Sequence, residues 1–105
     1  MVDSGTPIGS EAAFSRPAIL AMDEDFLRFQ PPSVFVVPIT STLRRFPSHI
    51  PIDADAHNGL SNDSVALVEQ MRSVSILRCS EPIGNAGPVV THQIRDVVAM
   101  IIGLP

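Results

Sequence analysis

The sequence contains neither tryptophan nor tyrosine, and Cys79 is its single cysteine. One cysteine cannot form a disulfide within the chain, and chains without disulfides suit a reducing compartment, so we expect a cytoplasmic protein. No apolar run approaches the roughly 20 residues that cross a bilayer. The N-terminus lacks the basic and apolar segments of a secretory signal. These absences predict a protein without a membrane partner.

The length of 105 residues suits one domain, and we expect a single domain over residues 1–105. Apolar residues make up 45% of the chain, and isoleucine and valine are prominent among them, which favours β-strands. The net charge of −4 disfavours general nucleic-acid binding. However, all seven basic residues are arginines, and Arg44 and Arg45 are adjacent in a predicted loop. Arginine suits bidentate phosphate contacts, so a local basic patch on an acidic body is the expected surface.

Hydrophobic periodicity predicts several strands followed by one helix. The run VFVVPITS is the strongest strand signal, and its Pro38 suggests a sheet edge or a bulge. Near the C-terminus, apolar residues recur with a helical period after Gly87-Pro88, and Gly103 ends the predicted helix. This order favours a mostly β (α+β) barrel covered by the helix over a parallel α/β sheet. The predicted longer strands cover residues 17–22, 34–41, 49–54 and 63–72.

Two groups of short strings place charged or hydroxyl-bearing residues at the ends of predicted strands. GSE at residues 9–11 is followed by SRP at 15–17, and PITS at 38–41 closes the long apolar run. RNA cleavage by internal transfer needs an aligned 2′-oxygen, stabilisation of phosphorane charge, and proton transfer. An arginine can clamp two phosphoryl oxygens, and a threonine hydroxyl can donate to a non-bridging oxygen. Arg16 and Thr40 are therefore candidates for this chemistry.

The same residues also have ordinary structural interpretations. Arg16 before a proline is typical of a surface charge at a strand edge, and Thr40-Ser41 is typical of a strand-ending turn. The pair also lacks an ordinary general base, because the pKa of arginine exceeds about 12. Glu11 and His49 are both candidates for that role.

The string DADAHNG at residues 53–59 imitates the start of a calcium loop. Its glycine falls one place late and Ser64 replaces the closing glutamate, so an Asp/Asn-rich turn is the better interpretation. His57 and His92 have no partner at ligand spacing, and no Gly-x-Ser-x-Gly string supports a serine hydrolase. We therefore expect neither a metal nor another cofactor.

Taken together, the strings PIGSEAAFSRPAIL, VVPITS, SHIPIDA and GLSNDSVALVEQMR and the closing apolar helix resemble the MazF/PemK family of bacterial toxin–antitoxin endoribonucleases. The resemblance runs from about Thr6 to the C-terminus. It implies a small SH3-like β-barrel of the MazF/PemK/CcdB type, assembled as a homodimer and neutralised by a cognate antitoxin. Family members cut single-stranded RNA without a metal, leaving a 2′,3′-cyclic phosphate and a 5′-hydroxyl. They normally open with a longer first strand, which we expect to be truncated here.

The resemblance also implies roles for individual residues. Arg16 corresponds to the catalytic arginine of the family, and Thr40 to its catalytic threonine. The residues expected near the RNA groove are Ser10, Glu11, Ser41, Arg44, Arg45, His49 and Gln70. An alternative function is a catalytically weak or inactive binding module, since the related CcdB toxins use this barrel to bind DNA gyrase. A structural domain of a larger complex would leave the order of the motifs unexplained.

Overall fold

The computed structural model describes residues 7–11, 16–79 and 82–104, which form a curled antiparallel sheet and a long C-terminal helix. The seven strands are β1 (Pro7–Glu11), β2 (Arg16–Leu20), β3 (Ser33–Thr40), β4 (His49–Ile52), β5 (Ser64–Leu67), β6 (Arg72–Ser75) and β7 (Gly84–Asn85). The helices are α1 (Glu24–Leu27) and α2 (Gly87–Ile102), and the 3₁₀ turns are Val68–Gln70 and Ile76–Arg78.

The strand order is β4-β5-β3-β2-β1-β7, and β6 also pairs with β3. Every pairing is antiparallel. The predicted mostly β fold with a C-terminal helix is therefore confirmed. The truncation expected for the first strand concerns residues 1–6, which lie outside the described residues.

The two faces of β3 contribute to different parts of the core. Val37 and Ile39 belong to the larger cluster, in which Ile94 of α2 is also buried. Val34 and Val36 belong to a smaller cluster on the opposite face. This division follows from the alternation of side chains along a strand. Because burying a Val or Ile side chain contributes about 1.5–3 kcal/mol, β3 is held firmly from both faces.

Pro38 lies within a strand that has partners on both sides, so the prediction of a sheet edge was wrong. The carbonyl of Phe35 accepts from the amide of Ala21, so the backbone polar groups of Phe35 face β2. By alternation, the nitrogen of Pro38 faces the other side. On that side, β3 pairs with β6 up to Val36 and with β5 from Ile39 onward. The proline therefore occupies the gap between two partner strands, where no amide donor is needed.

The predicted strand over residues 63–72 was also partly wrong. The observed β5 ends at Leu67, all four of its residues are buried, and the chain then enters the 3₁₀ turn Val68–Gln70. Alternating exposure requires one solvated face, and β5 has none. The polar Glu69 and Gln70 therefore lie on a turn and are exposed there.

Helix α2 has the ends that the sequence predicts. Pro88 lies in its first turn, and Gly103 closes it with a left-handed φ of 78°. Ile94 is its buried residue, while Val90, Val97 and Val98 are partly buried against the core. Among the described residues, no helix is long and apolar enough to cross a membrane.

Candidate functional site

The strands β2 and β3 bring positions 16 and 40 toward one another in the sheet. Ala18 pairs with Pro38, and the register continues through Ile19 and Val37. Extending this antiparallel register by two residues sets position 16 opposite position 40. Arg16 is the first residue of β2 and Thr40 the last of β3. The backbone of Arg16 is described, whereas its side chain lies outside the described part of the structure.

The hydroxyl of Thr40 is held by a local hydrogen bond at the end of β3. Its Oγ1 accepts from the backbone amide of Thr42 at 3.1 Å. This contact is typical of a strand-ending turn made by a hydroxyl side chain. It uses an oxygen lone pair and leaves the hydroxyl hydrogen available to donate. The turn interpretation and the catalytic interpretation of Thr40 are therefore compatible.

The segment 41–47 connects the end of β3 to the region of β4. Strands β3 and β4 both pair antiparallel with β5, on its two sides, so they run parallel and their connection must cross β5. All seven residues of the segment are exposed, including Ser41, Arg44 and Arg45. Within the described part of the chain, neither arginine forms an ion pair. The crossover therefore presents two available guanidinium groups four and five residues after Thr40.

A polar cluster of Ser48, His49 and Glu69 lies where the crossover joins β4. Ser48 Oγ donates to Glu69 Oε1 at 2.7 Å, and His49 Nε2 lies 3.2 Å from Glu69 Oε2. Because a carboxylate only accepts, the second contact requires hydrogen on Nε2. The side chain of His49 is 8% exposed and that of Glu69 33% exposed. The described structure provides no hydrogen-bond partner for the buried Nδ1 of His49.

The electrostatics of this cluster favour the ionised form of Glu69. Desolvation by burial acts to raise the pKa of this carboxyl group, but the hydrogen bond from Ser48 and the smaller contributions of its own backbone amide and of His49 outweigh it. The pKa of Glu69 is therefore lowered from its usual value. Phe46 packs against this cluster, with its ring centroid 5.5 Å from that of His49 and the two ring planes tilted by 46°.

The remaining residues predicted from the sequence lie in two places. Ser10 and Glu11 belong to β1, and Glu11 pairs with Arg16 through the backbone register, whereas both side chains lie outside the described part. Gln70 is exposed at the end of the 3₁₀ turn, beside Glu69. Thr40 pairs with Val65 near the start of β5, whereas this turn follows Leu67 at the other end of β5. His49 pairs with Leu67 at that same end. The turn therefore flanks the His49 side of the crossover.

The sequence interpretation did not identify Ser48, Glu69 or Phe46 as site residues. Ser48 and Glu69 are separated by 21 positions, so their contact is invisible to local periodicity. Phe46 carried a usable signal, because it directly follows two arginines in a loop.

The Asp/Asn-rich segment 53–59 forms a hydrogen-bonded turn. The Asn58 Oδ1 atom accepts from the amides of Asp55 and Leu60, and its Nδ2 donates to the carbonyl of Asp53. These bonds occupy the amide side chain in building the turn, as the sequence interpretation expected. Among the described residues, no group of three His, Cys, Asp or Glu is arranged to hold a metal ion.

Comparison with known proteins gives consistent results. A family model described as a PemK-like, MazF-like toxin of type II toxin–antitoxin systems matches residues 1–102. The chain is 27% identical over 104 residues to Endoribonuclease EndoA of Bacillus subtilis (strain 168), covering 97% of this chain and 88% of the relative.

Two solved structures resemble the fold. The Mycobacterium tuberculosis toxin MazF-mt6 has a TM-score of 0.81 at 24% identity, covering 94% of this chain and 98% of that one. A mycobacterial endoribonuclease solved in complex with its cognate antitoxin has a TM-score of 0.74 at 15% identity, covering 97% and 94%.

Proposed function

The chain belongs to the family of PemK-like, MazF-like toxins of type II toxin–antitoxin systems, and we propose that it is an endoribonuclease that cleaves single-stranded RNA at short specific sequences. The whole of residues 1–105 is one toxin domain. The observation that carries this proposal is the β2–β3 register, whose extension sets position 16 opposite position 40. A guanidinium and a hydroxyl supplied from these two positions suit a phosphodiester substrate.

In this proposal, cleavage is an internal transfer that needs no metal. The 2′-oxygen attacks phosphorus, the bond from phosphorus to the 5′-oxygen breaks, and the products are a 2′,3′-cyclic phosphate and a 5′-hydroxyl. Arg16 stabilises the charge on the phosphorane, and the Thr40 hydroxyl donates to a non-bridging oxygen. The proton of the 2′-hydroxyl passes to a general base, and a proton is delivered to the leaving 5′-oxygen.

The surroundings of the two candidate bases favour Glu11 over His49. Glu11 pairs with Arg16 in the register of β1 and β2. By contrast, His49 Nε2 is occupied by Glu69 and its Nδ1 is buried. His49 therefore lies below the surface of the RNA groove and supports the residues that form it. The other contacts with RNA come from Ser10, Ser41, Arg44, Arg45 and Gln70.

The proposed partners are single-stranded RNA, a cognate antitoxin and a second copy of the chain, with the cytoplasm as the compartment. The C-terminal end of α2 supports a protein partner, because Met100, Ile101 and Ile102 are all exposed there together with Leu104. Clustered apolar side chains of this kind are typical of interaction surfaces. Antitoxin binding over the RNA groove would inhibit cleavage.

The function is tested by incubating the purified protein with a long single-stranded RNA in EDTA. We expect fragments with 5′-hydroxyl ends, which polynucleotide kinase labels without prior dephosphorylation. Arg16→Ala should lower the rate by at least about 100-fold, since it removes a group that stabilises transition-state charge. Arg28→Ala is the matched control, because Arg28 directly follows α1 and pairs with Asp25 at 3.4 Å. Intact RNA with the parent protein would refute the nuclease function and favour the binding module.

A further inference from the structure

Phe46 is an aromatic side chain that the core does not use. It is 62% exposed near the end of the crossover, directly after Arg44 and Arg45. A phenylalanine in this position leaves a large apolar surface in water, which is unfavourable unless something covers it. The neighbouring arginines carry the positive charge that a phosphate backbone attracts.

The ring of Phe46 has a firm support on one side. The imidazole of His49 contacts it, with the two ring centroids 5.5 Å apart. That imidazole is in turn fixed by Glu69, which also accepts from the buried Ser48. The backbone adds a further restraint, because the amide of His49 donates to the carbonyl of Phe46 at 2.9 Å. These contacts restrain the aromatic ring on one side before any ligand binds, which reduces the entropic penalty of binding.

We propose that Phe46 is a stacking platform for one unpaired nucleobase of the RNA substrate, with Arg44 and Arg45 contacting the adjoining phosphates. This inference rests on the proposed nuclease function and adds a specific contact to it. Bases in single strands have free π-faces, and stacking on an aromatic side chain combined with a basic groove is a general way of binding them. In a duplex both faces of a base are already stacked, so the platform also selects single-stranded RNA.

The other exposed aromatic pair makes a useful contrast. Phe26 and Phe29 lie on or next to α1, with ring centroids 5.8 Å apart, and Phe29 is 80% exposed. The charged residues around them are Asp23, Glu24 and Asp25, against a single Arg28 that pairs with Asp25, so the local charge is negative and repels a phosphate backbone. Exposure alone therefore does not distinguish Phe46, whereas the basic neighbours do. Phe29 supplies a matched control with greater exposure and opposite surrounding charge.

The test begins with the RNA sequence that the protein cuts, resynthesised with 2′-O-methyl groups so that it binds without reacting. Equilibrium dissociation constants are measured for the parent protein, Phe46→Ala, Phe46→Trp and Phe29→Ala. We expect Phe46→Ala to weaken binding about 5- to 100-fold, and Phe46→Trp and Phe29→Ala to stay within about twofold of the parent. Each base of the RNA is then removed in turn by an abasic substitution. One abasic position should weaken binding to the parent protein but leave binding to Phe46→Ala almost unchanged.

The alternatives give different results. A parent protein that neither cuts nor binds RNA overturns both this inference and the proposed function. RNA binding by the parent with equal affinity and the same abasic profile for Phe46→Ala overturns the stacking role alone. A changed sedimentation coefficient for Phe46→Ala with unchanged RNA affinity also overturns it, and would assign the ring to a contact between copies. Because coupling to a single base is measured, general misfolding of the variant cannot imitate the expected result.

Discussion

Replacing Glu69 by alanine removes the acceptor shared by Ser48 and His49, and we expect this substitution to destabilise the fold by about 2 kcal/mol. Ser48 is 3% exposed and the His49 side chain 8% exposed, so both would lose their partner in a largely dry environment. An unsatisfied buried polar group costs about 1–3 kcal/mol. We take the lower end for each group because the Glu69 side chain is 33% exposed, which lets water replace part of the carboxylate. The thermal midpoint should fall by roughly 10 °C.

The measurement is the free energy of unfolding from urea denaturation at neutral pH. A double-mutant cycle with Ser48→Ala isolates the bond from Ser48 to Glu69, and we expect a coupling energy of about 1 kcal/mol. Additive effects of the two substitutions, within about 0.3 kcal/mol, would refute the assignment of this bond as stabilising.

The same cluster predicts the sign of a pH dependence. Burial acts to raise the pKa of Glu69, but its hydrogen bonds lower it overall from the ordinary value of 4.5. A carboxyl group whose pKa is lower in the folded state stabilises the fold fully above its unfolded pKa, and this contribution is lost as the pH falls through the folded pKa. The deficit of Glu69→Ala relative to the parent should therefore be constant near neutrality and shrink below about pH 4.5. A deficit that grows on acidification would contradict the lowered pKa.

Two further predictions concern a glycine contact and the basic crossover. Gly59→Ala should cost more than about 3 kcal/mol in thermal unfolding, because φ is +72° and a Cβ would come closer than 3.0 Å to the carbonyl oxygen of Ile83. Gly103→Ala, with φ +78° and no atom within 4 Å, should cost only about 1 kcal/mol, and equal losses would refute the close approach. Replacing both Arg44 and Arg45 by alanine should reduce the slope of log affinity against log salt by about 1.4 for single-stranded RNA, and an unchanged slope would exclude phosphate contacts by this pair.

The elements predicted well from the sequence are those whose signals are local. The apolar run of β3 predicts a strand by itself, and the proline and glycine at the two ends of α2 predict its limits. Both elements form as expected. The end of β5 depends instead on the burial of both its faces, which no alternation within residues 63–72 reveals. The contact between Ser48 and Glu69 requires that the crossover return beside β5, a property of the topology. Sequence reasoning therefore named Arg16 and Thr40, whose catalytic roles stay a prediction, but it did not find the support beneath Phe46.

The placement of these residues separates rigid from adaptable parts of the proposed site. Thr40 ends a strand whose neighbouring residues Val37 and Ile39 are buried in the core, so its backbone position is fixed by packing. Residues 41–47 follow at once and are all exposed, so their side chains can change without opening the core. Groups that align phosphorus with an attacking oxygen need a backbone fixed by core packing, because small displacements reduce the rate steeply. Contacts that recognise bases can be made from an exposed segment. Substitutions in residues 41–47 can therefore change sequence preference without moving Thr40.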